Sequence, residues 1–311
     1  MTSPTNLDIP GDAPNVAPLE TSIHPEIARI EALSTRRDLI HDDGTRVVWR
    51  QFGDHPERPP LVLLHGGHGS WMHWLRNIEA LSARHTLLLP DLPGYSDSDV
   101  PRAPTTGETA VQPLIEALSG TLDQLIGREA IIDLGGFSFG GLVAAKFAVI
   151  RGQVRKLVLL GSGGHGTMRR LNIEMINWRS APDRSAEIAA LKHNLAALML
   201  HDPAQIDDVA FQIHDLSCHG TRFRSKDVST GGGLQDALDA LTDTQQLLIW
   251  GQFDVTADPP KVLELLLQSH PERSGRVIEG AGHWVQYERA QDTNEALLAF
   301  LQKKIELQPN G

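Results

Sequence analysis

Ser138 sits in Gly136-Phe137-Ser138-Phe139-Gly140-Gly141, between the apolar run Ala130–Leu134 and Leu142–Ala148, which reads as a buried helix. Small residues two positions either side of the serine let a strand turn sharply into a helix. Such a turn pushes the hydroxyl out of the sheet and aims the helix's positive end at developing negative charge. A serine hydroxyl is a poor nucleophile at neutral pH. It needs a base to take its proton and an acid to orient that base. Glu279-Gly280-Ala281-Gly282-His283-Trp284 offers the base, His283, on a glycine-flanked loop. Ile249-Trp250-Gly251-Gln252-Phe253-Asp254 offers the acid, Asp254, directly after an apolar run. The chemistry would be nucleophilic acyl transfer, with serine, acid and histidine in that chain order.

An oxyanion also needs donors. Leu61-Val62-Leu63-Leu64 ends in His65-Gly66-Gly67-His68-Gly69-Ser70, where glycines expose backbone N–H groups. His65, His68 and His73 match no helical zinc spacing and have no acid alongside, so the loop is read as structural or pocket-lining. No metal and no cofactor is expected. The acids of Pro90–Ser98 lack the twelve-residue calcium pattern and are read as a structural turn. Cys218 is the single cysteine and is read as a small buried apolar residue.

The elements that must hold these groups alternate. Strands are expected at Arg36–His41, Thr45–Phe52, Leu61–Leu64, Thr86–Leu89, Ala130–Leu134, Val154–Leu160, Gln246–Trp250 and near Arg276–Glu279, with Asp42-Asp43-Gly44 as a hairpin turn. Helices are expected at Trp71–Ala83, Ala110–Ile126, after Ser138, at Pro259–Ser269 and from Gln291 to about Leu307. This rhythm predicts an α/β protein with a mostly parallel twisted sheet flanked by helices. It breaks between His165 and Leu241, where Arg169–Asn177, Ser185–Leu200 and Pro203–Leu216 show helical periodicity and no strong strand. The expected organisation is a flexible N-terminal tail (1–24), a core domain (25–164 and 242–311) and a helical insertion (165–241).

Composition sets the partners. The 28 basic and 39 acidic residues leave a net charge of −11, which disfavours nucleic acid and anionic membranes. No apolar run is long enough to span a bilayer, the start lacks a secretory pattern, and the lone cysteine forms no internal disulfide. A cytoplasmic enzyme with a small-molecule substrate is the expectation.

Four motifs together, His65-Gly66-Gly67, Gly136-Phe137-Ser138-Phe139-Gly140, Trp250-Gly251-Gln252-Phe253-Asp254 and Gly282-His283, resemble those of α/β-hydrolase fold enzymes with a helical cap. The likeness covers about Arg36 to Leu307. It implies that the Gly67 and Phe139 N–H groups form an oxyanion hole and that 165–241 is a lid. Gly282–Glu288 is similar to the end of the meta-cleavage-product hydrolases, which break carbon–carbon bonds. Those enzymes usually carry asparagine where Phe137 stands and Gly-Pro-Gly where His68-Gly69-Ser70 stands. Their carboxylate-holding cap arginine falls on His214 here, with Arg179, Arg222 and Arg224 as substitutes.

The resulting expectation is a serine hydrolase of a small apolar or aromatic carboxylic ester, working through an acyl-enzyme. The alternatives are carbon–carbon hydrolysis of a ring meta-cleavage product, haloperoxidase-type or amidase chemistry on the same residues, and a ligand receptor that keeps the fold. The pocket is expected to be mostly apolar. Trp71, Trp284 and Phe137 would contribute to it, and Leu195, Leu198, Met199, Ile206, Val209 and Phe211 would face it from the insertion.

Overall fold

Three strands, β3 (Leu61–Leu64), β4 (Leu87–Pro90) and β5 (Ile132–Phe137), are buried at every residue, as continuous apolar runs in a covered sheet should be. They form the centre of an eight-stranded sheet in a computed structural model that describes residues 22–102, 111–170 and 173–303. Most of the expected N-terminal tail (1–21) and the end of the last helix (304–307) lie outside the described residues.

The remaining strands are β1 (Thr35–Ile40), β2 (Arg46–Phe52), β6 (Val154–Leu160), β7 (Gln245–Gly251) and β8 (Arg273–Ile278). Their order across the sheet is β1-β2-β4-β3-β5-β6-β7-β8. Only β1/β2 and β2/β4 pair antiparallel; every other neighbour is parallel. The β1–β2 hairpin turns where expected: Gly44 N–H donates to the His41 C=O at 2.8 Å, and Asp43 Oδ1 accepts from Thr45 N–H at 2.8 Å.

Alternate strand residues feed two cores. Val62, Leu64, Leu134, Leu157, Leu159, Leu248 and Trp250 join one cluster with α3 (Val111–Ile126), α4 (Phe139–Arg151) and α9 (Pro259–Leu267). Leu61, Leu63, Phe137, Val158, Leu160, Leu247 and Ile249 join the other, with α1 (Pro25–Glu31), α2 (Ile78–Ser82), α10 (Val285–Glu288) and α11 (Ala290–Gln302). The period of two thus places helices on both faces.

Between β6 and β7 lie α5 (Arg184–Asn194), α6 (Asp208–His219), α7 (Ser225–Thr230) and α8 (Leu234–Asp239). Val228 of α7 and Leu234, Ala237 and Leu238 of α8 belong to the same cluster as α4. The expected 165–241 insertion therefore contains two helices that share the core of the sheet. Leu195, Val209 and Ile213 join the other cluster.

Two helical expectations are corrected. Trp71–Ala83 is not one helix: a 3-10 turn, Trp71–Trp74, precedes α2. Here Leu75 N–H bonds Met72 C=O and Asn77 N–H bonds Trp74 C=O, three residues back. Asn77 then uses its side chain elsewhere, donating to Gln286 C=O at 2.9 Å and Asn294 Oδ1 at 2.8 Å. Arg169–Asn177 is not helical in its described residues. Arg170 N–H pairs with Val255 C=O, and Ile176 N–H and C=O pair with the Asn194 side chain at 2.8 Å each. External partners replace the helical ladder.

Candidate active site

Ser138 occupies the turn between β5 and α4 with φ 54° and ψ −118°, a conformation costly for a residue with a Cβ. Its backbone is pinned on both sides. Ser138 N–H donates to Leu160 C=O at 2.9 Å, and its C=O accepts from Gly141 and Gly163 at 3.0 and 2.9 Å. Gly140 is needed for the turn itself: a Cβ there would stand 2.2 Å from the His65 carbonyl oxygen. Ser138 caps a 13-residue helix, so its hydroxyl lies at the positive end of that helix.

The three side chains separated in sequence meet in space. His283 Nε2 is 2.9 Å from Ser138 Oγ, and His283 Nδ1 is 2.9 Å from Asp254 Oδ2. With the proton on Nδ1, the ring donates to Asp254 and accepts from the serine hydroxyl. Asp254 is buried after β7, and its Oδ1 accepts from Thr256 N–H at 2.8 Å and Thr256 Oγ at 2.7 Å. Burial would raise this carboxyl, but the imidazole and the Thr256 bonds outweigh it and hold Asp254 below the ordinary carboxylate value. Thr256 was not anticipated; its only signal in the sequence is its place two residues after the acid. Gly161, at φ 51°, leaves space for the pair, since a Cβ would lie 3.0 Å from His283 Nδ1 and 3.1 Å from Asp254 Oδ2.

Gly67 lies beside this chain: a Cβ on it would be 3.7 Å from Phe139 Cβ. Among the described residues, neither Gly67 N–H nor Phe139 N–H donates to a protein acceptor, so both are free for a ligand oxygen. The loop histidines divide. His65 bridges Gly66 C=O at 2.8 Å and Leu92 N–H at 2.9 Å, and His73 accepts from Gly66 N–H at 3.2 Å. Burial lowers His65 to about 4 and His73 well below its ordinary value, so both serve as neutral struts. His68, at φ 50°, lines a cavity instead.

That cavity, about 200 Å³, is lined by Gly67 and His68 and walled by Met175–Arg179, Leu198, Met199, His214 and Cys218, among others. Burial lowers His214 to about 4 and raises the Cys218 thiol to about 12, so neither carries charge near neutrality. Arg179, whose guanidinium lies 4.2 Å over the Trp178 ring, is the one cation on this wall among the described residues.

The expected pocket residues are placed differently. Phe137 is buried beneath His283, ring centroids 5.0 Å apart, and Trp71 packs on Phe52. Trp284 stacks on Tyr287 at 4.2 Å and donates to His73 C=O. None of the three lines the Gly67 cavity; their aromatic surface serves the core under the site. Leu198 and Met199 do line it, whereas Leu195, Ile206 and Val209 pack into the core cluster. Asn194, which holds the Ile176 segment of the wall, carried no signal beyond being a polar residue in a helix.

Residues 61–296 match the model of the Alpha/beta hydrolase family. This chain belongs to that family. The α/β hydrolase is 31% identical over 258 residues to 2-hydroxy-6-oxononadienedioate/2-hydroxy-6-oxononatrienedioate hydrolase 2 of Pseudomonas putida, covering 78% of this chain and 87% of that one. Among solved structures it is similar to a serine hydrolase from the polyaromatic hydrocarbon-degrading bacterium Cycloclasticus zankles. The TM-score is 0.71 at 22% identity, over 88% of this chain and all of that one. It is also similar to the esterase RhEst1 from a Rhodococcus species, at TM-score 0.69 and 24% identity over 86% and 98%. This α/β hydrolase is thus a hydrolase by family, and the solved structures share its fold. No helix among its described residues is long and apolar enough to cross a membrane.

Proposed function

We propose that the protein hydrolyses a small carboxylic ester through an acyl-enzyme. Ser138 attacks the carbonyl carbon while His283 Nε2 takes the hydroxyl proton. Asp254 holds the imidazole tautomer and stabilises the imidazolium. The Gly67 and Phe139 N–H groups receive the oxyanion, assisted by the end of α4. The imidazolium then protonates the departing alcohol, and water repeats the sequence to release the acid. The observation that carries this reading is the unbroken Ser138–His283–Asp254 chain, with both links at 2.9 Å. The part of the 165–241 insertion that precedes α7 and α8 would form the lid over the site. The test is turnover of a short p-nitrophenyl ester. Ser138→Ala and His283→Ala should each lose several orders of magnitude in kcat. Near-normal turnover by Ser138→Ala would sink the assignment.

A second reading, carbon–carbon hydrolysis of a dienoate ring-cleavage product, is favoured by one observation: Arg179 borders the cavity that Gly67 also lines. It could receive a substrate carboxylate, as the name of the Pseudomonas putida relative would require of that enzyme's substrate. It ranks second because His214, at the position expected for a fixed cap cation, is neutral, and Arg179 is largely exposed. Esterolysis needs no such cation. Parallel assays with an aryl ester and a dienoate separate the two.

A further inference from the structure

The residues on both sides of His283 are tied to the segment between β6 and β7. Trp284 N–H donates to Met199 C=O at 2.7 Å. Gly282 N–H donates to Glu288 Oε2 at 2.6 Å, and the other oxygen of that carboxylate accepts from Asp202 N–H at 2.6 Å. Glu288 is buried, and these two amides are its side chain's partners among the described residues. A third contact touches the acid's loop. The His201 ring lies on the Phe253 ring, centroids 3.7 Å apart and 19° from parallel, and Phe253 immediately precedes Asp254. The turn 199–202 thus meets the chain neighbours of both Asp254 and His283. The same turn begins at the cavity wall, where Leu198 and Met199 stand. It follows a π-helical stretch, Leu195–Met199, closed by Leu200 N–H on Leu195 C=O at 3.1 Å. Widened turns of this kind re-aim the residues that follow them.

We propose that Glu288 is a positioning residue for His283, clamping the base's loop to the cavity wall through Asp202. The proposal rests on the reading of His283 as general base. A carboxylate with one oxygen on each amide fixes their separation, and with it the start of the His283 loop. The imidazole must satisfy two 2.9 Å contacts at once, so a small rotation of that loop loses one of them. Glu288 touches no reacting atom; it acts through the backbone at Gly282.

The test compares Glu288→Gln, Glu288→Ala and His201→Ala, with rates for a p-nitrophenyl ester expressed per folded enzyme. Glutamine keeps one acceptor and turns an amide N–H₂ toward the other N–H, so it removes half the clamp at unchanged volume. Expected is a fall in kcat of about 10-fold for Glu288→Gln and about 100-fold for Glu288→Ala, with KM within about 2-fold. The downfield proton resonance of His283 Nδ1–H should shift or broaden in both. His201→Ala, at an exposed ring, should lower kcat a few-fold, and less than that in the Glu288→Ala background, because both changes free the same turn. Were Glu288→Ala not to fold, Glu288→Gln and His201→Ala still decide the matter. Unchanged kcat per folded enzyme with an unmoved resonance would overturn the proposal and leave Glu288 a purely structural brace. Failure of the underlying reading would show separately, as turnover retained by Ser138→Ala.

Discussion

The Arg50 guanidinium donates to the Asp91 carboxylate at 2.9 Å, with both side chains sealed from solvent. The other Asp91 oxygen accepts from Trp71 N–H at 3.0 Å, and Arg50 also reaches Glu31 and Asp97. This network buttresses the segment that follows Gly67. Asp91→Ala removes the buried partner of Arg50, which keeps Glu31 and Asp97, and takes the acceptor from Trp71 N–H, so it should cost about 1–3 kcal/mol. Urea unfolding checks it: the midpoint should fall with little change in slope, and an unmoved midpoint would show that the pair carries no stability.

Gly161→Ala should disable the site without altering any hydrogen-bonding side chain. Its Cβ would crowd His283 Nδ1 and Asp254 Oδ2, and φ 51° is unfavourable for alanine by about 1–2 kcal/mol. We expect kcat/KM to drop about 100-fold while the folded fraction changes little. Steady-state kinetics beside a thermal melt read both numbers, and wild-type activity would mean the pair tolerates displacement.

Buried neutral histidines should make stability decline on acidification. His65, His68 and His214 are each lowered to about 4, first by burial and, for His68 and His214, by charged neighbours. Their unfolded value is about 6.5, so between about 6.5 and about 4 the unfolded chain binds more protons than the folded one. Stability is therefore complete above that window and is lost as pH falls through it. His214→Leu should flatten the slope of unfolding free energy against pH. An unchanged slope would show that His214 does not titrate in this way.

Arg179→Gln should separate substrates by charge. For an ester bearing a carboxylate near its scissile bond, KM should rise about 10-fold, as expected for losing a charged hydrogen bond. For a neutral ester of the same size, KM should stay within about 2-fold. Equal effects on both would mean that Arg179 shapes the wall rather than reading charge.

The centre of the sheet was legible because its strands are short apolar runs bounded by turn residues: β3 and β6 fall on the expected residues, and the others shift by only a few. That Ser138 and Asp254 stand at strand ends was legible because each follows such a run, whereas His283 follows the mostly polar β8. Phe137, Trp71 and Trp284 do not line the cavity beside Gly67, since sequence neighbours of a site can lie under it as easily as beside it and side-chain type does not report direction. The wall was harder. Ile173 and Ile176 stand three apart, a helical spacing, yet stay exposed, while the backbone around them bonds to Val255 and Asn194. Glu288 was within the recognised Gly282–Glu288 stretch, but its partners, Gly282 and Asp202, are backbone amides that no residue type advertises.

The bonds that Asn77 makes to Gln286 and Asn294 cross more than 200 residues of chain, as does that from Trp284 Nε1 to His73 C=O. Loop closure over such spans carries a large entropic cost that local structure cannot offset in advance. During synthesis, the segment after β3 therefore waits for almost the whole polypeptide before its partners exist. Until then Trp71, Trp74 and Ile78 present an apolar surface with no cover from α10 and α11, the kind of surface that aggregates or engages chaperones. Recovery of hydrolase activity on refolding would accordingly be a late event, reporting the meeting of the two ends of the chain rather than the formation of the sheet between them.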